Sequence, residues 1–128
     1  MCIRDSNNTP VSPELLPPSG DGSIEQRTED VLGPYDLHDF FLFHFIKYGA
    51  EPDKILYLAE HAFRGEFQPD FIRRYLGIFI RRFFRQQFKR SCMPDGPKVG
   101  TIALSPRGDW RMPSDACGTV WEKDISHR

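Results

Sequence analysis

With 128 residues, 17 basic and 18 acidic side chains and a formal net charge of −1, the chain has room for one cored domain and no overall attraction to nucleic acid or an anionic membrane. No apolar run reaches the length of a membrane helix, and residues 1–18 lack the hydrophobic core of a secretory signal. Cys2, Cys92 and Cys117 are an odd set without Cys-x-x-Cys spacing, which fits thiols in a reducing cytoplasm better than a disulfide or metal framework.

Residues 1–6, Met-Cys-Ile-Arg-Asp-Ser, look like a translated sequencing adapter and are expected to be a non-native leader. Residues 7–34 are rich in Pro, Ser, Gly and Asp. They offer turn chemistry and little to bury, so they read as a long loop. A loop that long is expected to be functional or to lean on a missing partner. Within it, Glu29 and Asp30 form a carboxylate pair that suits either a solvated turn or a hard cation such as Mg²⁺.

Residues 35–90 are expected to be helical. The first helix spans 35–48, with Asp36 and Asp39 in its first turn, where the dipole favours negative charge. Leu37, Phe40, Phe41, His44, Phe45 and Tyr48 recur at spacings of three and four, and Leu42, Phe43 and Ile46 make the other side apolar as well. A helix apolar nearly all round needs cover on several sides, so the isolated chain is expected to fold poorly or self-associate. A second helix is expected over 52–63, opened by Pro52 and stopped by Gly65, with Ile55, Leu58, Ala59 and Ala62 as its buried stripe. The third runs from Pro69 to about Phe88, with Ile72, Tyr75, Leu76, Phe79, Ile80 and Phe83 along one face. From residue 91 onward, repeated Pro and Gly predict an irregular tail, with residues 98–104 as one short extended segment.

The third helix carries Arg73, Arg74, Arg81, Arg82, Arg85, Lys89 and Arg90 and, between residues 71 and 91, no acid. Arg74, Arg81, Arg85 and Lys89 fall opposite the apolar stripe. Such a face is either solvated, its stems covering apolar surface, or a site for phosphate or carboxylate near the negative end of the dipole. A non-enzymatic helical module binding nucleic acid or another anionic partner is the alternative. The loops Asp95-Gly96-Pro97-Lys98 and Ser105-Pro106-Arg107-Gly108-Asp109-Trp110-Arg111 suit either a polar ligand or a tail wrapped over the core. Arg107-Gly108-Asp109 spells an adhesion tripeptide, but three residues recur by chance. His38, His44, His61 and His127 lack zinc-site spacing.

Three stretches resemble the bacterial glutamine-dependent NAD synthetases, in the family's order and at about its spacing. They are residues 28–41 (Thr-Glu-Asp-Val-Leu-Gly-Pro-Tyr-Asp-Leu-His-Asp-Phe-Phe), residues 82–91 (Arg-Phe-Phe-Arg-Gln-Gln-Phe-Lys-Arg-Ser), and Asp95-Gly96-Pro97-Lys98-Val99 with residues 104–115. The resemblance covers nearly all of residues 7–121. It implies that residues 7–128 are a C-terminal piece of a Rossmann-like α/β synthetase domain of the adenine-nucleotide α-hydrolase type. As present, that piece should be mainly α: three helices plus an irregular tail.

The implied reaction is ATP-dependent amidation of deamido-NAD to NAD through an adenylated carboxylate, with Mg²⁺ and with ammonia drawn from glutamine. By the same resemblance, Lys89, Phe88 and Arg90 meet deamido-NAD, and Ser12 lies near ATP. For the metal, the candidate is Glu29 of the loop carboxylate pair. Relatives are at least dimeric, so a cytoplasmic homo-oligomer is implied, with no nucleic acid or membrane partner. The family's Ser-Gly-Gly-x-Asp-Ser loop and its nitrilase-like glutaminase domain are absent from these residues. A truncated gene, inactive alone, is therefore the expectation.

Overall fold

A computed structural model describes residues 32–94, 96–98 and 100–126. The chain divides at Tyr35 into two compact units. The first, through Tyr35, is described only from Leu32 onward, where Gly33 adopts the left-handed φ of 89° that glycine tolerates. The candidate residues Ser12 and Glu29, the expected leader and His127 all lie outside the described residues.

The second unit is helical, and no strand forms among its described residues. Helix α1, Tyr35–Tyr48, has the predicted bounds. It stops where Gly49, at φ 58°, turns its own N–H back to Phe45 O (3.1 Å) and that of Ala50 to His44 O (3.2 Å). Helices α2, Pro52–Ala62, and α3, Pro69–Arg85, both open on a proline. The residue before each proline, Glu51 or Gln68, is extended, as the proline ring requires.

The structure corrects the rest of the helical reading. The third helix does not continue to Phe88. It pauses at Gln86 (φ −100°, ψ 14°) and resumes as α4, Gln87–Ser91. The tail is not wholly irregular, since α5 spans Thr119–Ser126. Residues 98–104 form no strand: the described ones are bends and coil. Five helices, not three, stand among the described residues.

α3 is the centre of the unit and packs against α2, α4 and α5, while α2 also meets α5. Its buried side chains are Ile72, Leu76, Phe79, Ile80, Phe83 and Phe84. The predicted Tyr75 is only half-buried, and Phe84 takes its place in the core. In α2 the buried set is Pro52, Ile55, Leu56 and Ala59, whereas Leu58 is half-buried and Ala62 exposed. Along α1, Leu37, Phe41 and Phe45 face inward, one helical turn apart.

Phe45 is the hub of this core. Its ring meets Phe83 at 4.9 Å, Trp121 at 5.1 Å and Trp110 at 5.5 Å, between ring centres. These tilted and edge-on arrangements suit the ring quadrupoles. One residue of α1 thus ties together α3, α5 and the loop before α5. The chain itself covers one side of α1. On the other, Leu42, Phe43 and Ile46 line a shallow apolar groove with Gly100, Thr101, Ile102 and Leu104, and Phe43 stays 48% exposed.

Candidate functional site

Local sequence offers no proline or glycine to interrupt α3 at Gln86. The interruption is explained by what α4 does next. Gln87, at its start, is fully buried and is the buried polar residue of the described core. A buried amide needs partners. Gln87 Nε2 donates to Met112 O at 3.3 Å, while its Oε1 accepts from Arg90 Nε at 2.9 Å and from a terminal Arg90 nitrogen at 2.5 Å.

The same Arg90 nitrogen also donates to the carbonyl of Phe83, in the last turn of α3. The guanidinium lies 4.1 Å from the centre of the Phe83 ring. Partial burial pushes Arg90 below its ordinary value, although a guanidinium stays charged throughout the physiological range. Arg90 therefore caps the broken end of α3 and ties α4 to it.

This geometry gathers the two motifs that the sequence reading singled out. Met112 O is bonded to Gln87, and the Trp110 ring rests on Phe83 at 5.3 Å. Arg107 donates twice to Met93 O, at 3.0 and 2.7 Å, closing the loop back on the end of α4. Ser105 nucleates the loop's turn by accepting from the N–H groups of Gly108 (3.0 Å) and Trp110 (3.4 Å). Asp109 pairs with Lys98 Nζ at 2.6 Å and accepts from Ala103 N–H at 2.8 Å. The Lys98 hydrogen bond, followed by that of Ala103, holds the Asp109 carboxyl below its usual range. In Arg107-Gly108-Asp109, both charged side chains thus brace the loop on the chain's own atoms.

Against this braced loop, α4 presents Phe88 and Lys89 to solvent, with Phe88 56% exposed. The third candidate, Arg90, directs Nε and one terminal nitrogen to Gln87 and Phe83. Trp110 Nε1 and Gln86 Oε1 are shielded from water and have no hydrogen-bond partner. Sequence reasoning missed Gln87 and Arg107. Only their hydrogen bonds to distant carbonyls reveal them, although the three-residue spacing of Gln87 and Arg90 on a helix was visible.

The remaining candidates scatter. The His38 ring packs on Phe41 and Phe79, and His44 sits among Phe40, Phe43 and Tyr48. His61 Nδ1 donates to Tyr57 O at 2.8 Å, which fixes its tautomer. Among the described residues no cluster of three or more His, Cys, Asp or Glu can hold a metal ion. The described residues therefore do not fit a Mg²⁺ site. No helix among them is long and apolar enough to cross a membrane.

No protein-family model matches the chain. Curated proteins do. The chain is 43% identical over 136 aligned residues to a protein of Mycobacterium leprae named glutamine-dependent NAD(+) synthetase, with 92% of the chain aligned. It is 44% identical over the same span to a protein of that name from Mycobacterium tuberculosis. A third, from Aquifex aeolicus, is 31% identical over 108 residues, covering 82% of the chain. The chain spans about a fifth of the length of these relatives, 20% for the mycobacterial proteins and 17% for the last.

Proposed function

The chain belongs to the glutamine-dependent NAD(+) synthetase family, and on that premise we propose that it supplies one wall of the deamido-NAD site of such an enzyme. Residues 7–128 then form a segment of a Rossmann-like α/β synthetase domain whose strands and ATP-binding loop belong to other parts of the parent protein. The reading rests on one observation above others. The family-like runs at 87–91 and 105–112 are drawn together by the Gln87 and Arg107 hydrogen bonds, and Phe88 and Lys89 stand exposed beside them.

In this reading the parent enzyme is a carbon–nitrogen ligase. A carboxylate is a poor electrophile, so ATP adenylates the nicotinate carboxylate of deamido-NAD, with pyrophosphate as the leaving group. Ammonia released from glutamine attacks the acyl carbon and expels AMP, leaving the amide of NAD. Lys89 contributes a mobile ammonium that meets the anionic substrate, and Phe88 offers an apolar edge beside it. Arg90 acts by positioning both, because it holds α4 in place. Ser12 remains a candidate beside ATP and Glu29 a candidate for Mg²⁺. The enzyme is expected to be a cytoplasmic homo-oligomer, and this segment alone to be inactive.

The test is Lys89→Ala in the intact synthetase that carries this segment. Loss of a hydrogen bond to a charged partner costs about 1.5–3 kcal/mol, so the KM for deamido-NAD is expected to rise by about 10- to 100-fold. The KM for ATP should stay unchanged. Wild-type kinetics for deamido-NAD in the variant would remove Lys89 from the site.

A further inference from the structure

Away from α4 and its loop, a second constellation has no role in that reading. A groove of about 520 Å³ runs between α3 and α5. Its walls carry Arg73, Arg74 and Arg81 against only two carboxylates, Asp70 and Glu122. Arg73 Nε is shielded from water and has no hydrogen-bond partner among the described residues. A buried donor in that state is a standing cost that an entering oxygen atom removes. Neither Arg73 nor Arg74 takes part in the two ion pairs formed among the described residues.

Among the described residues, an ion pair in the groove joins Arg81 Nε to Glu122 Oε2 at 3.6 Å, with half of the Arg81 side chain exposed. A long, solvent-screened pair of this kind holds weakly and exchanges readily for a better acceptor. Between Arg73 and Arg81, Gly77 leaves the floor open. A Cβ there would touch only Ile125 Cγ2, at 4.0 Å. Arg73 and Arg81 are eight residues apart on one face of α3, a rise of about 12 Å. Two or three linked phosphoryl groups fill more of that span than a single phosphate does, and so engage both ends with less bending of the arginine side chains.

We propose that the groove between α3 and α5 binds a short polyphosphate chain, free or carried by a nucleotide, through Arg73, Arg74 and Arg81. The ligand replaces Glu122 at Arg81 and satisfies the orphaned Nε of Arg73. The site shares no residue with the proposed deamido-NAD wall and is independent of it.

The experiment is calorimetric titration of the intact synthetase that carries this segment with orthophosphate, pyrophosphate and tripolyphosphate, with ³¹P line shifts as a second readout. Affinity is expected to rise with the number of phosphoryl groups and to fall with added salt. Arg73→Gln should weaken pyrophosphate binding about tenfold. Glu122→Gln should tighten it by removing the competing carboxylate, a gain that misfolding cannot imitate. Lys54→Ala, which removes an exposed cation of α2 outside the groove, is the control and should leave pyrophosphate binding unchanged. ADP binding as tightly as pyrophosphate assigns recognition to the phosphates alone, and tighter ADP binding brings the nucleoside into the groove; both sustain the proposal. It is overturned if a synthetase of normal helix content binds no pyrophosphate, if orthophosphate binds as well as tripolyphosphate, if Arg73→Gln or Glu122→Gln is without effect, or if Lys54→Ala abolishes binding.

Discussion

Gly118→Ala probes how α5 is held against the core. A Cβ at Gly118 would lie 2.6 Å from Phe84 Cδ2, 3.0 Å from Phe84 Cε2 and 3.3 Å from Ile80 Cγ2. Carbon atoms rest at about 3.5–4.0 Å, so the ring and the chain entering α5 must separate. The backbone there is not among the left-handed glycines, Gly33, Gly49 and Gly65, so the whole penalty is steric. Phe84 cannot turn aside, because its ring is buried and packed edge-on against Trp121 at 5.3 Å and Phe83 at 5.7 Å. Overpacking of this kind costs about 1–3 kcal/mol. A central value of about 2 kcal/mol lowers Tm by about 8–16 °C for a domain of this size.

The assay is a thermal melt of the 128-residue chain followed by far-ultraviolet circular dichroism and tryptophan fluorescence; a cooperative, monomeric transition in the parent would also overturn the expectation that the isolated chain folds poorly. Gly108→Ala is the control, since its Cβ would meet nothing nearer than Ser105 O at 3.8 Å. It should stay within about 0.5 kcal/mol of the parent. Adding Phe84→Leu to Gly118→Ala should restore part of the loss, because the shorter side chain vacates the contact. Coincident melts for Gly118→Ala and the parent would refute the packing assigned to α5.

Two further outcomes follow from charge. Asp109 is held below its ordinary value by Lys98 and Ala103, so the stabilising contact is complete above the usual carboxylate range and is lost as pH falls through the lowered folded value. Asp109→Asn should therefore speed hydrogen exchange at the Ala103 amide at neutral pH, after correction for the intrinsic rate; identical exchange in both chains would count against the bond. The hydroxyl of Thr119, and then its backbone N–H, lower the Cys117 thiol, which enriches its thiolate near neutrality. Thr119→Val should slow iodoacetamide modification of Cys117, read by peptide mass spectrometry, and an unchanged rate would show that the hydroxyl has no such influence.

Much of the helical frame was legible from local chemistry. Pro52 and Pro69 mark helix starts because their fixed φ suits the first turn, and Gly49 marks the stop after Tyr48 because the left-handed conformation excludes most other residues. The apolar face of α3 followed from its period. The residues of the proposed site were less legible. Lys89 and Phe88 owe their assignment to the family resemblance, since a lysine on a basic helix looks the same whether it binds a ligand or only water.

Tertiary structure decided the rest. The break at Gln86 has no local cause: it follows from a buried Gln87 seeking Met112 O and from Arg90 reaching Phe83 O, partners that lie on another segment or across the break. Helix α5 escaped notice because its short run becomes helical only when Trp121 and Ile125 find the aromatic core, with Gly118 admitting the chain close to Phe84. Short helices are marginal alone and depend on packing. The orientation of α1 was likewise undecided, since both of its sides are apolar and only the positions of Phe79, Phe83 and Trp121 select Leu37, Phe41 and Phe45 for burial. Periodicity and turn residues act within a few positions along the chain. Which polar group is paired, and which apolar face is covered, depends on atoms that the sequence places far away.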